Sequence, residues 1–497
     1  MLILVLNLVF LNVFNAEVSP KFCRIWGPGL YPDKIVMPAR YFFIEARNLE
    51  NERINKSISE DFKAVIEGLS EQNTPCRIWT NNLDVKDGSY IIRYKVFEKC
   101  YDLKISVTHF NKHVADSPYK IIGEVLPDHC DCPSYTLNNM LKEWKCGNIP
   151  KQITKDLESI DSINWENLRK EIISNYDKPY SVSLCHYVIK QNKIYRNCYG
   201  KYVGFKMFMD SILLSLSRKA ILPDVEFFVN LGDWPLVVKK DKSRNNRTYP
   251  IFSWCGSLDS DDIVMPTYDI TESSLENMGR VMLDMLSVQG NTEEPWENRQ
   301  PKAFWRGRDS SKERLKLIKI SRNHTDIMNC SLTNFFFFRD EISEYGPKSD
   351  HVSFYKFFDY KYQLGLDGTV AAYRFPYLLA GGSLVFKQES KYYEHFYGDL
   401  KPYVHYVPIK RNLDDLVEKI NWALDNDREA KKIADEGKLF SNKHLLPKNI
   451  FCYYSHLLNE FSQRIVSPIV ILDKMDKVEQ TNQKETCNCN KIYKDEL

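Results

Sequence analysis

Residues 303–311 read Ala303-Phe304-Trp305-Arg306-Gly307-Arg308-Asp309-Ser310-Ser311, and a helical pattern begins at Glu313. The apolar triplet predicts a short buried strand, and the polar residues around Gly307 predict a turn into the helix. That strand–turn–helix unit is the grammar of an α/β protein. It recurs on both sides. A helix is predicted over Gly204–Arg218, with Phe205, Phe208, Met209, Ile212, Leu213 and Leu216 on one face. A strand follows at Val225–Asn230 and ends at Gly232-Asp233-Trp234-Pro235. Further helices are predicted over Glu276–Val288, Thr369–Leu379, Leu413–Leu424 and Arg428–Phe440, with a buried strand at Ser383–Lys387. This alternation predicts parallel sheets. About 340 residues are too many for one open sheet of this kind, which predicts two α/β lobes facing a cleft.

The N-terminal stretch has a different texture. Tyr41–Ala46, Phe62–Ile66, Ser89–Val96 and Leu103–Thr108 are short strands, the last alternating with period two, and Lys86-Asp87-Gly88 is a turn. Strands of this length and spacing predict an Ig-like β-sandwich over 18–125. Cys130, Cys132 and Cys146, with Pro133 and Pro150, mark 126–150 as a disulfide-tied linker. The α/β region is placed at 151–465, with a polar tail at 466–497.

The two ends predict a compartment. Residues 2–14 are apolar, long enough for a secretory signal and short for a membrane span, and Ala16 is the small residue before a cleavage point. A signal peptide over 1–16 is therefore expected, although no basic residue precedes Lys21. Lys494-Asp495-Glu496-Leu497 matches the retrieval address read by the KDEL receptor. Together they predict the lumen of the endoplasmic reticulum. No later run is long and apolar enough to span a bilayer. Thirteen cysteines then predict disulfides, with at least one thiol left over because the count is odd. The Cys-x-Cys pairs lack zinc-site spacing, so no metal is expected. Asn55, Asn246, Asn323 and Asn329 each stand two places before Ser or Thr, as glycosylation acceptors do. With 68 basic and 66 acidic residues, there is no electrostatic case for nucleic acid.

Chemistry is expected where strands end. At Arg306-Gly307-Arg308-Asp309-Ser310, two guanidiniums flank a helix start, which suits a diphosphate; two solvated arginines on a surface turn would look the same. Walker and dinucleotide glycine patterns are absent. Arg374, within Val370–Phe375, and Arg280, within Met278–Val281, each need a partner in apolar surroundings: an anion or a structural ion pair. Two carboxylates qualify for acid–base work, Asp233 at a strand end and Asp210 in the helix over 204–218. Either could equally be a turn cap or an exposed helix position.

The motifs together resemble a known family. Val229–Pro235, Trp305–Ser310, Gly368–Arg374, Tyr393–Tyr397 and Phe451–Tyr454 are similar to the capsule-associated-protein-like protein O-glucosyltransferases. Gly27–Leu30, Asp87–Tyr90 and His113–Tyr119 resemble a filamin-type repeat. That repeat in front and Lys-Asp-Glu-Leu behind make the chain similar to the KDEL-motif-containing members. The resemblance implies a multidomain chain: a filamin-type Ig-like sandwich followed by a two-lobed α/β GT-B domain. It implies UDP-glucose as donor, with UDP-xylose as the alternative, and no separate cofactor. The implied acceptor is a serine of folded EGF-like repeats of secreted or cell-surface, Notch-like proteins, with inversion and no required metal. Arg306 and Arg308 are then implied to face the donor diphosphate, with Arg280 and Arg374 lining the same cleft beside Gly307, Asp309 and Ser310. Relatives carry an acid shortly before the helix at Gly204, whereas residues 195–201 here contain none. The base therefore falls to Asp233 or Asp210. A non-catalytic lumenal binder or chaperone of EGF-repeat proteins is the competing reading.

Overall fold

In a computed structural model of the chain, residues 17–58, 62–133, 135–178, 183–239, 249–275 and 284–480 are described. The signal stretch 1–16, Arg280, Asn246 and Lys494–Leu497 lie outside them, as does most of the helix expected over Glu276–Val288. On either side of the undescribed residues 276–283, helices run over Tyr268–Leu275 and Met285–Gly290.

The N-terminal unit is the expected Ig-like sandwich. One sheet is ordered Arg24–Trp26, Arg40–Glu45, Ser89–Val96, Ile78–Asp84. The other is built on Lys63–Leu69, Cys100–His109 and Tyr119–Val125. Phe42, Ile44, Ile92 and Tyr94 meet Leu103, Ile105 and Val107 between the sheets. The Cys76–Cys100 disulfide closes the unit. Arg40–Glu45 is buried on both faces because Tyr41 and Phe43 point out of the sandwich, into the core of the next domain. An unbroken apolar strand in an antiparallel sheet needs such a second cover.

The α/β region forms two lobes. The first holds a six-stranded sheet ordered Ile263–Val264, Ile251–Ser253, Val225–Asn230, Leu184–Lys190, Lys193–Tyr199, Asp476–Lys477. It is mixed: Leu184–Lys190 pairs antiparallel with both Val225–Asn230 and Lys193–Tyr199. The expectation of parallel sheets throughout is thus corrected. A tight hairpin at Gln191-Asn192, both with positive φ, returns the chain antiparallel. The second lobe is the parallel sheet Met328–Asn334, Gln300–Arg308, Tyr360–Gly365, Leu384–Gln388, Val407–Ile409. The last long helix, Pro447–Ser462, returns to the first lobe, where Tyr453 donates to the carbonyl of Val264 at 2.8 Å.

Residues 126–150 pack rather than link loosely. The Asp128 carboxylate is held by Arg218 and Lys219, and Trp144 is buried. Cys146 is bonded to Cys452, Cys185 to Cys198, and Cys130 and Cys132 are also in disulfides. Cys23, Cys255 and Cys330 are free and buried.

Candidate active site

The strand Gln300–Arg308 runs through the whole Arg-Gly-Arg motif, so Gly307 is not a turn residue. Parallel pairing with Met328–Asn334 continues to Arg308, which extends the strand past the polar residues. Glycine is required there for another reason: a Cβ at Gly307 would stand 2.6 Å from the Trp305 ring. Alternation then puts Arg306 on the opposite face from Trp305, and the pairing register shifts between Gly307 and Arg308. Arg306 is committed to structure. It donates to the carbonyl and side-chain oxygens of Asn329, both at 2.8 Å, and lies over Phe304 at 4.4 Å. Arg308, at the strand end, is exposed and makes no side-chain hydrogen bond or ion pair among the described residues.

Asp309 is fully buried and accepts from the amides of Phe336, Phe337 and Phe338 at 2.7, 2.9 and 2.6 Å. It shapes the adjoining loop. Ser310 accepts from Arg314, which also donates to the carbonyls of Arg308, Leu366 and Asp367. Arg314 thus ties the strand end to the loop before Arg374. The sequence signal for it was available, an Arg in the first turn of an otherwise apolar helix face.

The helix expected over Thr369–Leu379 is shorter, Phe375–Ala380, with Pro376 in its first turn and Arg374 as its N-cap. Gly368 and the residues before Arg374 form a loop, so the arginine is delivered at a helix start. One Arg374 nitrogen donates to the carbonyl of Arg306. Burial, then the charge of Arg308, lowers the Arg374 guanidinium to about 10. Burial, then Arg374, lowers Arg314 to about 9. Three mutually opposing cations held together are what an anion site needs.

The first lobe supplies acid. Asp233 follows the strand Val225–Asn230, and its carboxylate accepts from the Tyr268 hydroxyl. Burial raises its pKa, opposed by that bond and by Arg308, which faces it from the second lobe. Asp269, in the first turn of the helix Tyr268–Leu275, opens to solvent yet lies deep among protein atoms. Burial, then the charge of Asp233, pushes it up to about 6. Sequence reading missed Tyr268 and Asp269, though Pro266 just before them is a helix-start signal.

The structure does not bring Asp210 into this group. Its carboxylate is bound by Arg196 at 2.9 and 3.0 Å and by Tyr187 at 2.8 Å. The acid-free segment 195–201 thus supplies the cation that engages Asp210. Among the acceptor asparagines, Asn55 and Asn323 are exposed, whereas the Asn329 amide donates to Tyr360 and accepts from Arg306 within the sheet. Among the described residues no three of His, Cys, Asp and Glu converge as a metal-ligand set, and no helix is long and apolar enough to cross a membrane.

Comparison with known proteins agrees with this anatomy. Residues 17–120 match the Filamin/ABP280 repeat. The chain is 48% identical to protein O-glucosyltransferase 2 of Danio rerio, over 95% of this chain and 94% of that one. It is 44% identical to protein O-glucosyltransferase 3 of Homo sapiens, over 99% and 97%. Protein O-glucosyltransferase 1 of Homo sapiens is 29% identical over 56% of this chain and 72% of its own. Residues 142–496 match the glycosyl transferase family 90, and the chain belongs to that family, a glycosyltransferase behind a filamin-type domain.

Proposed function

We propose that the chain transfers glucose from UDP-glucose to a serine of a folded EGF-like repeat, with inversion and without a required metal, in the lumen of the endoplasmic reticulum. The observation that carries the reading is that Arg308, with Arg374 beside it on one lobe, faces Asp233 on the other. In a single displacement the serine oxygen attacks the anomeric carbon and gives its proton to Asp233. The bond from that carbon to the diphosphate oxygen breaks, and UDP leaves as an anion. Arg308 and Arg374 are placed to stabilise that charge, the role a divalent cation plays elsewhere. The relatives named protein O-glucosyltransferases support the sugar and the protein acceptor. The disulfides support an oxidising compartment.

The test is incubation of the purified chain with a folded EGF-like repeat and UDP-glucose or UDP-xylose, read by intact mass. A hexose increment on serine is expected with UDP-glucose. No increment with either donor, under conditions where UDP binds, would overturn the reading.

A further inference from the structure

The sandwich face that carries Tyr41, Phe43, Val85 and Ile91 is built into the same core as the helix residues Met285, Leu286 and Val288. Arg93, 3% exposed, crosses this boundary. It donates to the Ser287 hydroxyl at 2.8 Å and pairs with the Asp284 carboxylate at 2.8 Å. Asp284 is the N-cap of the helix Met285–Gly290, accepting from the Ser287 amide at 2.8 Å. At the other end of that helix, a Cβ on Gly290 would lie 2.4 Å from the Leu83 side chain, so the sandwich approaches without a gap. A second clamp joins Asp87 of the sandwich to Lys438 of the helix Asp427–His444 at 3.0 Å.

The two clamped helices are joined to each other and to a third. Gln289 donates to Asn442 at 2.7 Å, and Ser441 reaches the Pro376 carbonyl at 3.4 Å. Both helices pack against Phe375–Ala380, whose N-cap is Arg374. A contiguous set of buried contacts therefore runs from the sandwich to the arginine of the anion site.

We propose that the filamin-type domain is a positioning element of the donor site, with Arg93 acting through Asp284 and the clamped helices to hold Arg374 in place. This rests on the reading of Arg374 as a donor-binding group. A rigid scaffold matters there because a guanidinium held a fraction of an ångström off its anion loses much of its effect.

The experiment uses the full chain and titrates UDP by calorimetry, alongside transfer kinetics on an EGF-like repeat. Arg93→Met is expected to weaken UDP binding about tenfold, the scale of coupling through packed elements, and to lower kcat. The KM for the acceptor should stay unchanged. The double variant Arg93→Met with Arg374→Ala should bind UDP no more weakly than Arg374→Ala alone, because both changes act through one side chain. Arg93→Lys should recover part of the affinity, since an ammonium still pairs with Asp284 but lacks the fork to Ser287. Normal UDP affinity in folded Arg93→Met, additive losses in the double variant, or a change confined to acceptor KM would each overturn the inference while leaving the donor reading intact. Normal UDP affinity in Arg374→Ala would overturn the donor reading itself, and the inference with it. Should Arg93→Met fail to fold, Lys438→Gln at the more accessible clamp decides. Weakened UDP binding there supports the proposal, and normal binding overturns it.

Discussion

The Tyr373 hydroxyl donates to the backbone carbonyl of Asp233 at 3.2 Å, joining the loop that delivers Arg374 to the strand end that delivers the acid. The Cys255 thiol donates to the same carbonyl at 3.3 Å. The two lobes are thus registered at the point where their opposite charges meet. The position of Asp233 relative to Arg308 is fixed by backbone as well as by side chains. That contact frames what single substitutions should do.

Among the described residues, Arg308 is the guanidinium of the site that makes no side-chain hydrogen bond, while Arg306 is spent on Asn329, Arg314 on backbone carbonyls and Arg374 on the Arg306 carbonyl. Arg308→Ala should cost on the order of 10²-fold in turnover, the usual cost of removing one preorganised donor from a developing anion. Thermal stability should hardly change, because the side chain is exposed. Arg308→Lys should rescue poorly, since an ammonium cannot reproduce a planar fork. By contrast Arg306→Ala should lower the melting temperature, because it strips the bonds to Asn329. Steady-state kinetics beside calorimetric melting separates the two arginines.

Gly307→Ala tests the strand itself. The added methyl would meet the Trp305 ring at 2.6 Å, and that ring is buried. Overpacking of this kind costs about 1–3 kcal/mol. The strand must shift to relieve it, so Arg308 one residue on should move too. A destabilised variant with weakened UDP binding is expected in thermal melts with and without UDP. Unchanged melting would show that Trp305 has room to swing away.

Much of this arrangement was legible in the sequence, and the failures share a cause. Ser89–Val96 was readable to the residue because the turn at Lys86-Asp87-Gly88 bounds it and its hairpin partner Ile78–Asp84 is local. The period-two run at Leu103–Thr108 lies inside Cys100–His109, where alternate residues are buried. Asp233 was legible as a strand-end carboxylate. What could not be read was pairing between distant segments. Only the neighbouring strand Met328–Asn334 extends Gln300–Arg308 through a Gly and two Arg. Only Arg196, brought over by a hairpin, turns Asp210 from a candidate base into half of an ion pair. Asp269 carries no local mark apart from Pro266, because its character comes from burial and then from Asp233 some 36 positions away in the chain.

The Cys146–Cys452 disulfide joins the segment after the sandwich to the last long helix across 306 residues of chain. Closing so long a loop constrains the unfolded chain strongly, and removing such a bond typically costs about 2–5 kcal/mol. Cys146→Ser with Cys452→Ser should therefore lower the melting temperature while leaving the donor site's residues in place. The expected signature is reduced stability with UDP affinity retained below the transition. Melting that matches the parent protein would indicate that packing of Trp144 on Phe451 suffices.

Asp233 as the base carries the sharpest test, because its environment predicts a pH profile. Burial raises its pKa, so it must lose its proton before it can accept one from the acceptor serine. Transfer should therefore rise with pH through the acid limb and fall as the carboxylate becomes protonated. Asp269 titrates nearby, pushed up to about 6 first by burial and then by the charge of Asp233. The acid limb belongs to the pair, not to either residue alone. Asp233→Asn keeps size and the ability to bond Tyr268 but removes basicity. It should lower transfer by about 10²–10⁴-fold, the range for a general base, with UDP affinity nearly intact. Removing the Asp233 charge should also let the Asp269 titration fall below its value in the parent, measurable by carboxyl NMR. Asp269→Asn should leave the transfer rate high at neutral pH and simplify the acid limb to one step. If instead Asp233→Asn retains transfer and Asp269→Asn abolishes it, the proton goes to the helix-borne carboxylate, and Asp233 serves to hold Tyr268 and balance Arg308.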